Sequence, residues 1–336
     1  MNDIKLQKVI LPPDVIDLSF GEPEIVMKAL FRQLNRMGMP LKMPNIFDLL
    51  KWQYQPAAGK PDLVTLLEKK YESRVVITNG AKQALAAAMY AFKKQGINSI
   101  YYEQPYYPAN PSIADSVGLP KSTLQLAGGR ILTSPNNPDG VNLTNDQLIE
   151  AASVIPTIHD AAYYTEIYLP DGQKPIPVGD IQLFSMSKMY GLSGLRIGYA
   201  VIHNEKYYQD IVDYMELTTA GASTASQDIA RNIEIFFKDN PVYYKEFTRE
   251  AKTAIKESRK ELLKLDPDVL QVEEPNSDSM FAWAKIGPAL DHKTAKVHIL
   301  PGEIFGKPGY MRLNIAYPPE VISEAVSRLN RCKIRS

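Results

Sequence analysis

Short apolar runs alternate with amphipathic stretches through the first part of the chain. Residues 74–78 form one such run, which Asn79 and Gly80 end, and residues 81–94 then place apolar side chains three and four apart. This spacing predicts a buried strand followed by a helix. Thr144 is the expected N-cap of another helix, over residues 145–152. Further strands are predicted at residues 99–102, 129–133, 157–158, 182–185 and 198–202.

Strands that alternate with helices, and that end in polar, glycine or proline residues, indicate an α/β fold with a mostly parallel sheet. After about residue 207 the pattern changes to a long helical stretch over residues 232–265, two strand-like segments and a terminal helix. This second pattern predicts a smaller α+β domain. We therefore expect a large domain over residues 42–210 and a small domain formed by residues 1–41 and 211–336.

The charge of the chain is balanced, with 38 lysine and arginine residues against 38 aspartate and glutamate residues. Without net charge or a basic block, no strong field attracts nucleic acid or an anionic membrane surface. The balance favours a small-molecule substrate, so we expect neither a nucleic acid nor a membrane as partner. Residues 1–20 contain no long apolar run after a basic start, and neither a signal peptide nor a membrane span is predicted.

Cysteine and histidine usage excludes several kinds of site. Cys332 is the one cysteine, so the chain can form neither an intrachain disulfide nor a cysteine-rich metal centre. The four histidines are scattered without metal-ligand spacing, and we expect no metal. This usage fits a reducing compartment, and the expected location is the cytoplasm.

The segment SMSKMYGLSGLRIGY, residues 185–199, carries the strongest chemical signal. Lys188 follows a predicted strand and lies between small hydroxyl residues. A lysine that bonds to an aldehyde must be partly deprotonated, and desolvation or nearby positive charge lowers its pKa accordingly. Arg196 can supply that charge and can bind a phosphate through two hydrogen bonds. A single lysine beside a glycine-rich turn is usually a solvated surface residue, but the whole segment argues against that interpretation.

This segment resembles the lysine signature of class I/II aminotransferases, the fold-type I enzymes that depend on pyridoxal 5′-phosphate (PLP). Other segments are similar to motifs of that family in the same chain order. They are IDLSFGEP at 16–23, YQPAAGKPDL at 54–63, TNGAKQAL at 78–85, EQPYYP at 103–108, SPNNPDG at 134–140, DAAY at 160–163 and MRLNIA at 311–316. The resemblance implies a large PLP-binding domain, a small domain, and PLP attached to Lys188 as a Schiff base.

Gly80, Ala81 and Lys82 open a helix directly after a strand, where free N–H groups and the helix dipole make an anion site. The resemblance implies that the cofactor phosphate binds there, with help from Ser185 and Arg196. Whether Lys82 adds charge to the site or points into solvent stays open.

The resemblance also assigns residues around the cofactor ring. Asp160 would keep the pyridine nitrogen protonated, which the electron-withdrawing role of PLP requires. Asn137 and Tyr163 can donate hydrogen bonds to the phenolate oxygen. Tyr107 is the expected stacking partner of the ring, with Tyr106 as the alternative. Each of these residues alone also fits a plain turn or core packing, and the ordered set of motifs favours the site.

Substrate contacts are expected from Gly21, Asn137 and Arg312, because an arginine pairs with a carboxylate in a bidentate geometry that lysine cannot copy. The resemblance implies that Tyr54 reaches the phosphate of a neighbouring subunit, so a homodimer is expected. Taken singly, Asn137-Pro138 also fits a plain turn, Arg312 a surface salt bridge, and Tyr54 local packing against Pro56.

The predicted activity is transfer of an amino group between an amino acid and a 2-oxo acid, with Lys188, Asp160 and Tyr163 as the catalytic residues. Fold-type I also supports carbon–sulfur lyases, decarboxylases, synthases and non-catalytic PLP-binding proteins, and fold does not settle reaction. The interval from Tyr107 to Asn137 is short for the family, since residues 115–129 cannot hold the usual helix and strand. The sequence does not identify the amino donor or acceptor.

Overall fold

The computed structural model describes residues 10–38 and 53–332. The α-helices of these residues, numbered α1 to α10, are Glu24–Arg36, Pro61–Tyr71, Ala81–Lys94, Ala109–Ser116, Asn145–Val154, Met186–Met189, Tyr208–Thr219, Thr224–Asp239, Pro241–Leu262 and Pro319–Arg331. The strands, numbered β1 to β12, are Ile16–Asp17, Arg74–Thr78, Ile100–Tyr101, Gly129–Thr133, Thr157–Asp160, Ile181–Ser185, Gly198–Ile202, Leu270–Glu273, Phe281–Ile286, Val297–His298, Leu300–Pro301 and Tyr310–Asn314. The predicted domain boundary near residue 41 and the first nine residues lie outside the described ranges.

A six-stranded sheet with the order β2-β7-β6-β5-β4-β3 forms the centre of the larger part of the molecule. Neighbouring strands from β3 to β6 are parallel, and β7 runs antiparallel to both β2 and β6. All residues of β5, β6 and β7 are buried, as expected for strands covered by helices on both faces. The predicted α/β fold with a mostly parallel sheet is confirmed.

The register of the sheet determines which side chains meet at its carboxyl edge. Thr133 pairs with Asp160, and Asp160 pairs with Leu183, two residues before the end of β6 at Ser185. The loops after β4, β5 and β6 therefore leave the sheet side by side. Ligands of such sheets bind at this edge.

A second sheet, with the order β11-β12-β9-β8, is antiparallel throughout. Helices α9 and α10 pack against each other beside it, and α1 packs on α9. Strand β1 pairs with β10, so residues 10–38 lie against C-terminal elements. Arg312 stands in β12 opposite Trp283 of β9.

The predicted single helix over residues 232–265 is wrong, because the chain forms two helices that break at Asn240 and Pro241. Proline has no amide proton and clashes with a preceding helical turn, so Pro241 begins α9 and cannot continue α8. The Asn240 side chain donates to the carbonyl of Phe236 at 2.9 Å and helps to end α8. Pro241 was the signal for this break in the sequence.

The short interval before Asn137 leaves one edge of the central sheet thin. Helix α4 ends at Ser116, and the chain then makes a single bridge, Lys121 to Ile100, before β4 begins. No second helix or full strand occurs between α4 and β4, as the length of this interval predicts. Among the described residues no helix has both the length and the apolar character needed to cross a bilayer.

Candidate active site

A cavity of about 440 Å³ lies at the carboxyl edge of the central sheet and reaches the second sheet. Most of the predicted site residues line it. They are Gly21, Ala81, Lys82, Tyr107, Asn137, Asp160, Tyr163, Ser185, Lys188, Arg196 and Arg312. Residues that are far apart in the sequence therefore line a single cavity. They include lysines and arginines, hydroxyl groups and the strand-end carboxylate of Asp160.

Lys188 lies in the one-turn helix α6, directly after β6, and its amine donates a hydrogen bond to the carbonyl of Gly21. Burial lowers the pKa of Lys188 to about 8, and the positive charges of Arg312 and Arg196 act in the same direction. Glu22 opposes this shift. The amine is therefore partly neutral near physiological pH, which is the state that attacks a carbonyl.

Asp160 ends β5 and is buried at the bottom of the cavity. Burial raises the pKa of this carboxyl to about 6, although the backbone N–H of Ala162 donates to it at 3.2 Å and Lys188 is positively charged. A buried carboxylate is stable only beside a positive partner. The position therefore suits a ligand that brings a cationic nitrogen.

Arg312 has the opposite character, because it is a buried cation without a carboxylate partner among the residues the structure describes. Its side chain is 1% exposed, and its guanidinium lies 4.2 Å from the centre of the Phe281 ring. It donates to the Oδ1 of Asn137 at 2.8 Å and to the carbonyl of Ser19 at 2.5 Å. Nε of Arg312 has no hydrogen-bond partner within residues 10–38 and 53–332, and burial lowers the pKa of the group to about 10.

Asn137 and Tyr163 form the next link of the same network. The Asn137 amide donates to the Tyr163 hydroxyl at 3.2 Å, while its oxygen accepts from Arg312. Burial raises the pKa of Tyr163 above its ordinary value, so the phenol keeps its proton. The three side chains are thus held at fixed positions on one side of the cavity.

The start of α3 forms the other end of the cavity. Gly80 has φ of +84°, and a Cβ at this position would lie 2.5 Å from Nη2 of Arg196. Arg196 donates to the carbonyl of Ser193 at 2.9 Å and is exposed on its outer side. Ala81 and Ser185 line the space between them. A helix N-terminus beside a guanidinium is an arrangement that binds phosphate.

Residues 67–240, more than half of the chain, match the model of the allinase family. The chain belongs to the allinase family. Over 242 residues this allinase-family protein is 33% identical to tryptophan aminotransferase-related protein 2 of Arabidopsis thaliana, and the match covers 63% of this chain and 52% of that relative. The chain thus spans about half the length of that relative.

Longer but weaker similarity extends to aspartate aminotransferases. The allinase-family protein is 25% identical to the aspartate aminotransferase of Streptomyces avermitilis over an alignment of 339 positions including gaps, and the match covers 83% of this chain and 81% of the relative. A double mutant of Thermus thermophilus aspartate aminotransferase superimposes with a TM-score of 0.76 at 22% identity, over 95% of this chain and 92% of that chain. This likeness shows the fold, which is fold-type I of the PLP-dependent enzymes.

The two candidate ring-stacking tyrosines of the allinase-family chain occupy different places. Tyr107 lines the cavity, and burial together with the charge of Asp160 raises its pKa to about 12. Tyr106 packs edge-on against Tyr102, with ring centres 5.1 Å apart, and borders a separate cavity. The geometry thus brings Tyr107, and not Tyr106, into the site.

Lys82 lies at the margin of the cavity, and Tyr54 lies outside it. Lys82 is exposed but lines the cavity, and partial burial and the charge of Arg196 lower its pKa. Tyr54 is 90% exposed and does not line the cavity of its own chain. Its contact with a neighbouring subunit stays a prediction.

Several lining residues were missed by sequence reasoning. They are Phe20, Glu22, Leu85, Ala162, Ser187, Ser193, Gly194 and Phe281. Most of them lie close to a predicted site residue in the same sequence motif, so the motif itself was the signal that could have identified them. Phe281 has no such signal, because it reaches Arg312 only through the pairing of β9 with β12.

Proposed function

We propose that this chain is a PLP-dependent aminotransferase that moves an amino group between an amino acid and a 2-oxo acid. The observation that carries the proposal is that one cavity is lined both by a lysine of depressed pKa and by a buried arginine whose Nε has no partner in the part of the chain that the structure describes. The names of the tryptophan and aspartate aminotransferase relatives support the same reaction.

The residues of the cavity fit PLP. The N–H groups at Ala81 and Lys82, with Ser185 and Arg196, would hold its phosphate, since they combine a helix N-terminus with a guanidinium. Space for this group depends on Gly80, where any side chain would meet Arg196.

The other wall of the cavity fits the ring. Asp160 would face the pyridine nitrogen, because a protonated nitrogen would supply a positive charge beyond that of Lys188, which does not offset the burial of this carboxyl. Tyr107 would lie against the face of the ring, and Asn137 and Tyr163 would contact its phenolate oxygen. When bound, PLP supplies an aldehyde for covalent attachment and a ring that withdraws electrons from the substrate's α-carbon.

The chain's own residues then orient the substrate and move its proton. Arg312 would bind the α-carboxylate through Nε and one further nitrogen. Its guanidinium is already removed from water in the folded protein, so binding adds no further cost for desolvating the arginine. Lys188 Nζ, once released, would take the proton from the α-carbon as a general base and deliver it to the C4′ carbon of the cofactor as a general acid. Its pKa near 8 suits both steps at neutral pH.

A carbon–sulfur lyase is the second candidate, since the matching family model is that of allinase. Both reactions begin with the same α-proton transfer by a lysine such as Lys188, so the cavity residues described above serve either one. The two differ in what the enzyme consumes. A transaminase needs a 2-oxo acid acceptor, whereas a lyase acting on an S-substituted cysteine takes up water and releases a thiol or sulfenic acid, pyruvate and ammonia without any acceptor.

A panel of amino acids, each assayed with and without 2-oxoglutarate or pyruvate, separates the candidates. We expect the purified protein with PLP to form a new amino acid from the acceptor, and Lys188→Ala to abolish this product. Ammonia released from S-substituted cysteine without an acceptor would favour the lyase instead. Absence of both products across the panel would contradict the proposal of an enzyme.

A homodimer completes the proposal. Tyr54 is a large aromatic side chain with 90% of its surface exposed, at a position that the family resemblance assigns to the neighbouring subunit's phosphate. The cavity of one chain is open at the end near Arg196, which is itself exposed. A second copy that places Tyr54 at this opening would close the site.

A further inference from the structure

The main-chain carbonyl of Lys188 is a hydrogen-bond acceptor near the end of a very short helix. Helix α6 makes one turn, and the last carbonyls of a helix have no partners within it. The N–H of Leu192, which would reach Lys188 in a longer helix, donates to the carbonyl of Met186 instead, at 3.3 Å. The hydroxyl of Tyr168 donates to the Lys188 carbonyl at 2.9 Å.

Tyr168 is itself tightly held. Its side chain is fully buried, and its ring lies edge-on to that of Tyr163, with centres 6.0 Å apart. Its own carbonyl accepts from the N–H of Asp278 at 2.9 Å. Burial raises the pKa of Tyr168 well above the ordinary value, so the phenol stays protonated and remains a donor. Tyr168 therefore joins the backbone at Lys188 to the loop that carries Tyr163.

The chain after Lys188 is fixed from the opposite side. Gly191 has φ of +74°, and a Cβ there would lie 2.5 Å from the amide nitrogen of Met27, so the turn has no room to shift. The Tyr190 hydroxyl donates to the buried carboxylate of Glu234 at 2.9 Å. The Tyr168 hydrogen bond therefore holds the one-turn helix on the side opposite to these contacts.

We propose that Tyr168 is a positioning residue that sets the direction in which the Lys188 side chain enters the cavity. The inference rests on the proposed function, in which Lys188 bonds to PLP and moves the α-proton. A reacting group displaced by about 1 Å can lose up to about a hundredfold in rate, so a single backbone hydrogen bond at this position affects chemistry as well as stability.

Tyr168→Phe removes the hydroxyl and keeps the ring, and Tyr164→Phe is its matched control. Tyr164 lies in the same loop, is 1% exposed, and donates its hydroxyl to Asn145 Oδ1 at 2.8 Å, away from the cavity. Both variants lose one buried phenol hydrogen bond. Only Tyr168→Phe frees the carbonyl of Lys188.

The primary readout is the rate at which cofactor-free protein, mixed with PLP, gains the visible absorption band of the lysine-bound cofactor. We expect Tyr168→Phe to slow this rate about tenfold relative to wild type, and Tyr164→Phe to leave it within about twofold. In turnover, Tyr168→Phe should lower kcat and leave KM for the amino acid nearly unchanged, because Arg312 is untouched.

Equal rates for the two variants would overturn the inference while leaving the proposed function intact. No band in wild type would instead contradict the proposed function itself. If Tyr168→Phe unfolds at the assay temperature, all three proteins are compared at a lower temperature at which their circular dichroism spectra coincide. A rate difference that disappears there would also overturn the positioning role.

Discussion

Arg312 and Asn137 are joined by a buried hydrogen bond of 2.8 Å that links the second sheet to the loop after β4 of the central sheet. Asn137 passes the contact on to Tyr163 at 3.2 Å. The residue proposed to bind the substrate carboxylate and the residues proposed to contact the cofactor therefore form one network. Because buried polar networks are costly when partly satisfied, the proposed binding of the substrate at Arg312 would complete the network.

Arg312→Lys tests the carboxylate site. Lysine keeps the charge but cannot offer two parallel hydrogen bonds, and charge-assisted bonds are each worth about 1.5–3 kcal/mol. We expect KM for the amino acid to rise about 10- to 100-fold, with affinity for PLP nearly unchanged. Steady-state kinetics and a PLP titration measure the two quantities. An unchanged KM would show that the carboxylate binds elsewhere.

Asp160→Asn tests the cost of the buried carboxyl in the cofactor-free protein. Since the folded pKa of Asp160, about 6, is above its ordinary value of 3.8, the folded state binds the proton more tightly than the unfolded state. Stability is therefore lost as pH rises from about 4 to about 6, and it stays lower above that range. A shift of this size corresponds to about 3 kcal/mol.

We accordingly expect cofactor-free Asp160→Asn to be more stable than wild type at pH 7, by about 2–3 kcal/mol, and similar at pH 3.5. Urea unfolding at the two pH values measures this. PLP should then stabilise wild type more than the variant, since asparagine cannot pair with a pyridinium. Equal stabilisation of both proteins by PLP would argue against a contact between Asp160 and the ring nitrogen.

Gly80→Ala tests the proposed phosphate site, with Gly96→Ala as its matched control. Both glycines have φ of +84° and flank α3, but a Cβ at Gly80 meets Arg196 at 2.5 Å while a Cβ at Gly96 meets no described residue within 4 Å. A positive φ strains both variants, and Gly80 has in addition ψ of 163°, a backbone conformation almost restricted to glycine. We expect both variants to lose melting temperature, Gly80→Ala the more, and a fall of tenfold or more in PLP affinity for Gly80→Ala alone. Equal PLP affinities would place the phosphate elsewhere.

Mixing inactive subunits tests the proposed role of Tyr54. In a homodimer with shared sites, a Lys188→Ala subunit combined with a Tyr54→Ala subunit makes one intact site, because its Lys188 and its Tyr54 come from different chains. Random exchange then gives about a quarter of wild-type activity per subunit. If Tyr54 acted within its own chain, or if the protein were a monomer, mixing would add nothing to the residual activity of Tyr54→Ala.

Much of the site was predictable because its residues stand at strand ends or helix starts, which local sequence marks clearly. Asp160 ends a short apolar run, Lys188 follows another, and Gly80 separates a strand from a helix. The parallel order of these strands then brings their carboxyl ends together. A correct prediction of the strands therefore also predicts most of the residues that meet at the site.

The contacts that the sequence did not reveal depend on long-range register. Phe281 reaches Arg312 because β9 pairs antiparallel with β12, and no local pattern fixes which residues of the two strands face each other. No sequence motif singles out Tyr168, since its hydroxyl meets Lys188 only after the loop following β5 folds over α6. Pro241 was visible in the sequence, but the helical periodicity around it outweighed the break that it causes.

The most direct test of the account is to find which lysine bonds to PLP. Two lysines of lowered pKa line the cavity, Lys188 and Lys82, so the protein provides its own competitor. Treatment with PLP, reduction with borohydride, and peptide mass spectrometry identify the modified residue. We predict that Lys188 is the modified residue in wild type, and that the corresponding peptide of Lys188→Ala carries no modification. Modification of Lys82 or of surface lysines, with the Lys188 peptide unchanged, would contradict the account.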